Sequence, residues 1–311
     1  MVNSGKKASV ATVIGNKALK KRFGRLTIQF TGEAAGRFLQ VMPGQFVQIS
    51  LSEAALPNPE RISSDLADSA QRQILLRRPF SFCDVTVDRP NCVQVEVLYC
   101  VLGPATLRIT TLSKGDKISI IGPLGNGFSI PPGKKYALLV AGGMGAPPLR
   151  HLATFIRANK PKMRLFAFAG AKSLDDLPFT VEGPKSESPV IPEFSGAGTR
   201  LHIATDDGSA GFCGLVTQYM EKWLDESKIP PEDIIVFSCG PEPMLAEVAR
   251  LSEKYGIDCQ VSMERMMACG IGLCQSCAVE CKGGTKGETV YKLCCKDGPV
   301  FNGREVVFES R

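Results

Sequence analysis

Through the first third of the chain, apolar and polar positions alternate. Val47, Ile49 and Leu51 are separated by Gln48 and Ser50, and Val93, Val95, Val97 and Tyr99 by Gln94, Glu96 and Leu98. Half-buried antiparallel strands require this period of two, which predicts a small barrel or sandwich. The stretch from Ser52 to Gln73 is polar and carries no sustained alternation, which predicts a long surface loop.

From about Tyr136 the rhythm changes to strand followed by helix. "YALLV" reads as a buried strand and "AGGMGAPP" as a glycine-rich turn. Leu149, Leu152, Ala153 and Ile156 form one helical stripe, with Pro147 or Pro148 suited to its first turn. Short apolar runs recur at Leu165 to Ala169, Leu201 to Ala204 and Ile234 to Phe237. Helical stripes accompany them, at Val216, Tyr219, Met220 and Trp223, then at Leu245, Val248 and Leu251. Repeated β-α units predict a parallel sheet, which binds ligands beyond the carboxyl ends of its strands. Those ends hold Gly142, Gly143 and Gly145, then Gly170, then Asp206 and Asp207, then Gly240 and Pro241. Glycines let a backbone approach a pyrophosphate, and a following helix turns its amides toward the anion. "GGMG" lacks the G-x-G-x-x-G spacing, so a tight βα connection is the competing reading.

A second candidate is "LRRPFSF", Leu76 to Phe82. Arginine offers a fork of donors for phosphate oxygens, proline fixes the backbone, and a serine can donate to a ring nitrogen. Taken alone, it equally describes exposed arginines ahead of a strand.

Composition narrows the choice of chemistry. With 311 residues and 44% hydrophobic content there is ample material for a buried core, in two or three domains. Residues 1–8 lead into no apolar stretch suited to a signal peptide, and no 18-residue apolar span occurs, so a soluble, cytoplasmic protein is expected, with no membrane association. The net charge of +6 is spread along the chain, which argues against nucleic acid as a partner. Two histidines, His151 and His202, argue against a hydrolytic triad or a His-rich metal site. Among twelve cysteines, the scattered Cys83, Cys92, Cys100, Cys213, Cys239 and Cys259 read as small buried hydrophobes.

The remaining cysteines are more specific. Cys269, Cys274 and Cys277 have the spacing C-x4-C-x2-C, followed by Cys294 and Cys295, an arrangement that matches plant-type 2Fe-2S ferredoxins. Gly270 and Gly272 would let backbone amides approach the sulfurs. Zinc is the competitor, although zinc ribbons usually present two C-x2-C pairs and this chain has one. Spacing does not choose between Cys294 and Cys295 as fourth ligand. Cys281 is a weaker candidate, better read as a strand residue.

"RPFS", "GPLGNGF", "GGMGAPPL", "TDDGSAG", "CGPEPML", "ERMMACGIGLCQSC" and "CKDGPVFNGREVV" follow one another in the order expected of a known family. From about Phe46 to Val307 the chain resembles the electron-transfer subunits of NAD-dependent dihydroorotate dehydrogenases, in the ferredoxin reductase superfamily. The resemblance implies a multi-domain architecture: an antiparallel β-barrel domain binding FAD (1–132), an α/β parallel-sheet domain binding NAD(H) (133–258) and a small 2Fe-2S domain (259–311). By motif, Arg78, Pro79, Phe80 and Ser81 would contact FAD, with Arg78 on the pyrophosphate and Ser81 near the reactive flavin nitrogen. Leu98, Tyr99 and Cys100 would run along the flavin, and Ala105 with Thr106 would complete its phosphate site. Gly142, Gly143 and Gly145 would flank the dinucleotide, with Cys239, Gly240 and Pro241 near the nicotinamide. Cysteine directly before "KDGP" is the family's fourth ligand, which selects Cys295.

Departures from the family pattern are Ala141 where many relatives have glycine, a longer Ser52 to Gln73 loop, and the extra Cys294. The implied partner is an FMN-containing dihydroorotate dehydrogenase catalytic subunit, two copies of each chain forming a heterotetramer. Related subunits serve NAD(P)H:ferredoxin oxidoreductases and sulfide dehydrogenases, and a zinc-stabilised nucleotide-binding regulator is the reading from another class. Lys172 could meet a 2'-phosphate, so NADH over NADPH rests on the resemblance. The apolar tail at Pro299 to Phe301 reads as packing with a contact rim.

Overall fold

A computed structural model describes residues 7–20, 22–186, 189–195, 198–285 and 287–308. Its first part contains β1 (Ala8–Ala18), β2 (Phe23–Thr31), α1 (Glu33–Phe38), β3 (Phe46–Ile49), α2 (Ala67–Ala70), β4 (Arg78–Ser81), β5 (Asp84–Arg89), β6 (Cys92–Cys100), α3 (Pro104–Ile109) and β7 (Lys117–Leu124). The strands form one antiparallel sheet in the order β4-β3-β7-β1-β2-β6-β5, a half barrel. Alternate residues of β2 and β6, among them Leu26, Ile28, Val93, Val95 and Val97, point inward and are fully buried. Helix α1 closes the barrel by stacking Phe38 on Phe30, with ring centroids 3.7 Å apart.

Two expectations are corrected here. β3 was expected to be half buried, yet all four of its residues are buried, Gln48 included. A later part of the chain covers its outer face. The Ser52 to Gln73 segment is not simply a surface loop, because it contains short helical turns and buries Leu66 and Ala70. Arg108 of α3 donates to Ala70 O at 3.2 Å, and Arg22 pairs with Asp65 at 2.6 Å, fastening the segment to the barrel.

The second part contains β8 (Tyr136–Gly142), α4 (Ala146–Asn159), β9 (Arg164–Ala171), α5 (Pro192–Ser195), β10 (Arg200–Thr205), β11 (Phe212–Cys213), α6 (Val216–Glu226), β12 (Ile234–Cys239), α7 (Glu242–Lys254) and β13 (Asp258–Ser262). After the hairpin β14 (Ala278–Lys282) and β15 (Thr289–Leu293), β16 (Val300–Asn302) returns to this sheet. The sheet runs β11-β10-β9-β8-β12-β13-β16, parallel except for β16, which pairs antiparallel with β13. Its core divides in two, with Leu149, Leu152 and Ile156 of α4 in one cluster and Met220 of α6 with Leu245, Val248 and Leu251 of α7 in the other. Strand order reverses between β8 and β12, and at such a switch point a crevice opens beyond the strand ends.

The expected division at residue 258 cuts through β13, and β16 lies beyond it. Cys83, Cys92, Cys239 and Cys259 are buried as expected, but Cys213 is exposed at the end of the two-residue edge strand β11, and Cys100 is half buried. Arg150 of α4 joins the two sheets, pairing with Asp84 at 2.7 Å and donating to Cys83 O at 3.1 Å. Among the described residues no helix is long and apolar enough to cross a membrane.

Candidate functional site

Strand β4 forms the floor of a groove on the half barrel. Successive residues of a strand face opposite sides, and Arg77 is spent on β7, donating to Ser119 O at 2.7 Å and Ser119 Oγ at 2.9 Å. Arg78 therefore faces the other way, into a cavity of about 280 Å³ that it shares with Pro79, Phe80, Gly103, Pro104, Ala105 and Thr106. The Thr106 hydroxyl accepts from Leu102 N at 2.9 Å and Gly103 N at 3.2 Å, which fixes this turn at the start of α3.

Pro79 and Phe80 also line a second cavity of about 290 Å³, with Phe46, Ser81, Cys239, Ser262, Met263, Glu264, Arg265, Met267 and Pro299. One trough thus runs from Arg78 past Ser81 to the end of β12. Leu98 and Tyr99 lie off it: Leu98 belongs to the core shared with the second sheet, and Tyr99 packs over Gly24 with its hydroxyl donating to Asn16 at 3.0 Å. Of these three expected contacts only Cys100 is partly open to solvent.

At the switch point a third cavity, about 480 Å³, is lined by Gly142, Gly143, Gly170, Lys172, Asp206 and Pro241, among others. Gly142, Gly145 and Gly170 are required by packing. A Cβ on Gly145 would collide with the carbonyl of Cys239 and stand 2.7 Å from Gly240 N, and one on Gly170 would stand 2.6 Å from Val216 Cβ. Gly240 has φ +157° and presses on Gly142. The "GGMG" and "CGP" turns are therefore pressed together, Cys239 facing the trough and Pro241 the third cavity. Asp207 turns away, accepting from Ser209 N at 2.9 Å and Ser209 Oγ at 2.6 Å, bonds that hold its carboxyl below the ordinary carboxylate range. Burial pushes the Cys239 thiol well up, so it stays protonated.

The cysteine loop folds over the other end of the trough. Gly270 and Gly272, at φ +69° and +85°, turn the backbone so that the amides of Ile271, Leu273 and Cys274 point at Cys269 Sγ, at 3.5, 3.4 and 3.4 Å. The four expected ligands fall into two pairs, the Cys274 amide donating to Cys269 Sγ and the Cys295 amide to Cys277 Sγ, each at 3.4 Å. Hydrogen bonds, first from the Ser276 hydroxyl, pull Cys274 down to about 6, the thiolate range. Burial, then the bond with Cys277, pushes Cys295 up to about 12. Cys294 faces elsewhere, its thiol donating to Met263 O at 3.3 Å. Cys281 is buried in β14, as expected of a strand residue.

Among the described residues no three Cys, His, Asp or Glu side chains converge on one point as a lone ion demands. Two thiol pairs with inward amides fit a two-iron group, where each iron takes two thiolates, better than a single zinc. Ser262, Glu264 and Arg265 were not foreseen as part of the trough. Their signal was their place just past a parallel strand, on the edge that carries Cys239.

Comparison with known proteins agrees with this geometry. Residues 264–307 match the family model for the iron-sulfur cluster binding domain of dihydroorotate dehydrogenase B. The dihydroorotate dehydrogenase B (NAD(+)) electron transfer subunit of Caldanaerobacter subterraneus is 33% identical over 96% of this chain and 98% of its own. The corresponding subunit of Geobacillus thermodenitrificans is 34% identical over 95% and 97%. Among solved structures, an NADH-dependent reduced ferredoxin-NADP oxidoreductase superposes with a TM-score of 0.70 at 26% identity, covering 96% of this chain and 90% of that one. The cytochrome b5 reductase domain of Ulva prolifera nitrate reductase shares the fold at a TM-score of 0.58 and 15% identity, over 81% and 94%.

Proposed function

The chain belongs to the family of electron transfer subunits of NAD-dependent dihydroorotate dehydrogenase B, and from that premise we propose which of its residues carry the electrons' path. As a member it passes electrons between NAD(H) and a dihydroorotate dehydrogenase catalytic subunit by way of FAD and a 2Fe-2S cluster. When bound, the flavin takes up a hydride as an electron pair and the iron pair carries electrons singly, which is the chemistry that the protein positions.

Cys269 and Cys274 would ligate one iron, Cys277 and Cys295 the other. Arg78 would neutralise the FAD pyrophosphate beside Ala105 and Thr106. Pro79 and Phe80 would floor the flavin's site, and Ser81 would place a hydroxyl at the reactive end. Gly142, Gly143 and Gly145 would admit the dinucleotide, and the Gly240 and Pro241 turn would hold the nicotinamide near Cys239, between the third cavity and the trough. Asp176, Asp206 and Glu247 line the third cavity with Lys172. Three carboxylates against one ammonium disfavour a 2'-phosphate, which supports NADH. Pyrimidine chemistry needs no acid or base here and belongs to the catalytic subunit, with which two copies of this chain would assemble as a heterotetramer.

The observation that carries this reading is that Met263 to Met267, the segment leading into the cysteine loop, lines the same trough into which Ser81 and Cys239 open, while Cys295 comes beside Cys277 from the turn after β15. Protein purified anaerobically should hold FAD and about two irons and two sulfides per chain, and its flavin should bleach on addition of NADH. Arg78→Ala should weaken FAD binding while retaining iron. Co-expression with a dihydroorotate dehydrogenase catalytic subunit should yield NAD-linked orotate chemistry. Colourless protein containing zinc would refute the reading.

A further inference from the structure

Gln48 is the one polar residue of β3, and it is fully buried with neither Nε2 nor Oε1 hydrogen-bonded. Both ends of an amide left without partners in the interior is a costly arrangement that native chains keep for a reason. Val47 and Ile49 point into the barrel core, while Phe46 on the opposite face lines the trough. Gln48 shares that outer face, opposite Pro79 of β4 in the strand register. What covers it is the cysteine loop. Gly270, next in sequence to Cys269, lies on the amide so closely that a Cβ there would collide with Gln48 Nε2 and stand 2.6 Å from Cγ.

We propose that Gln48 is a positioning residue for the iron-sulfur group: its side-chain N–H donates to a sulfur held by the 269–277 loop. This rests on the family reading above. Cluster and thiolate sulfurs are electron-rich, so the amide turns its NH2 end toward them rather than its oxygen. An electron added to the cluster raises the charge on those sulfurs and strengthens the bond. Gln48 therefore raises the cluster's reduction potential from the flavin side of the molecule.

The test compares wild type with Gln48→Met, which keeps length and bulk but removes the donor, by titrating the cluster midpoint with electron paramagnetic resonance and the flavin midpoint optically. The variant should keep its FAD, iron and sulfide and its flavin midpoint. Its cluster should become harder to reduce by about tenfold in equilibrium constant, or about 59 mV for one electron. An unchanged cluster midpoint, or a shift confined to the flavin, overturns the proposal. If Gln48→Met does not retain its cluster, Gln48→Glu provides the second reading, since a carboxylate in that place makes reduction harder still. A midpoint equal to wild type in that variant overturns the proposal equally. Wild-type protein without iron and sulfide would overturn the family reading as well, whereas a loaded wild type with an unshifted variant overturns this inference alone.

Discussion

Cys277 and Cys295 meet across the base of the β14–β15 hairpin, the amide of Cys295 donating to Cys277 Sγ at 3.4 Å. One residue earlier, Cys294 donates its thiol to Met263 O at 3.3 Å and its amide to Cys277 O at 2.9 Å. Cys294 and Cys295 both lie in the turn after β15 but take different partners, Met263 O for one thiol and the Cys277 side for the other, so the two thiols have separate tasks. Cys295→Ser is expected to lose most of the iron and sulfide. Cys294→Ser is expected to keep both, at a small cost in stability. Iron and sulfide analysis of the two purified variants distinguishes them, and the reverse pattern would make Cys294 the ligand.

Gly145 and Gly143 sit two residues apart in the "GGMG" turn but differ in surroundings. A methyl group on Gly145 would run into the Cys239 carbonyl, whereas Gly143 has open space around it and φ +49°. Gly145→Ala should displace the nicotinamide end and slow flavin reduction by NADH by more than about tenfold, the equivalent of roughly 1.4 kcal/mol. Gly143→Ala should cost about 1–2 kcal/mol of stability through its backbone conformation with a milder kinetic effect. Stopped-flow flavin reduction and denaturant titration separate the two.

His151 gives the fold a dependence on acidity. It is buried beside Phe82, and burial lowers it from the ordinary 6.5 to about 4. Between those values the unfolded chain binds a proton that the folded chain refuses, so stability rises with pH. This contribution is complete above about pH 6.5 and is lost as pH falls toward 4, with a slope approaching about 1.4 kcal/mol per pH unit. In urea titrations across that window, His151→Gln should show a flatter dependence than wild type.

The cysteine loop exposes Met266 (89%) and Leu273 (75%). Large apolar side chains bare to water beside a redox group are suited to cover by a partner. Met266→Asp should leave NADH reduction of the flavin intact and weaken assembly with the dihydroorotate dehydrogenase catalytic subunit by about tenfold or more. Size-exclusion chromatography with the catalytic subunit and orotate-linked turnover would show it, and unaltered assembly would place the contact elsewhere.

Much of this was legible along the chain because it is local. Alternation marked β6, the β-α rhythm marked the parallel sheet, and the cysteine spacing marked a loop whose three cysteines lie close in sequence. Distant contacts were not legible. Gln48 reads as an ordinary outward polar residue because Gly270, which covers it, arrives from the far end of the chain. Leu98 and Tyr99 sit within a motif that points to the flavin, yet the packing of β6 commits their side chains to the two cores. β16 carries just three residues, too few for a periodic signal, and its place is set by the strand it joins.

That short strand has a mechanical consequence. Residues 297–302 are tied on one side to the barrel, where Asn126 N donates to Gly298 O at 2.6 Å and Asn126 Nδ2 to Asp297 O at 2.9 Å, and on the other to β13. The tail bolts the half barrel to the parallel sheet. No hinge need swing between one turnover and the next, so internal transfer should proceed at the same pace in viscous and in dilute solvent.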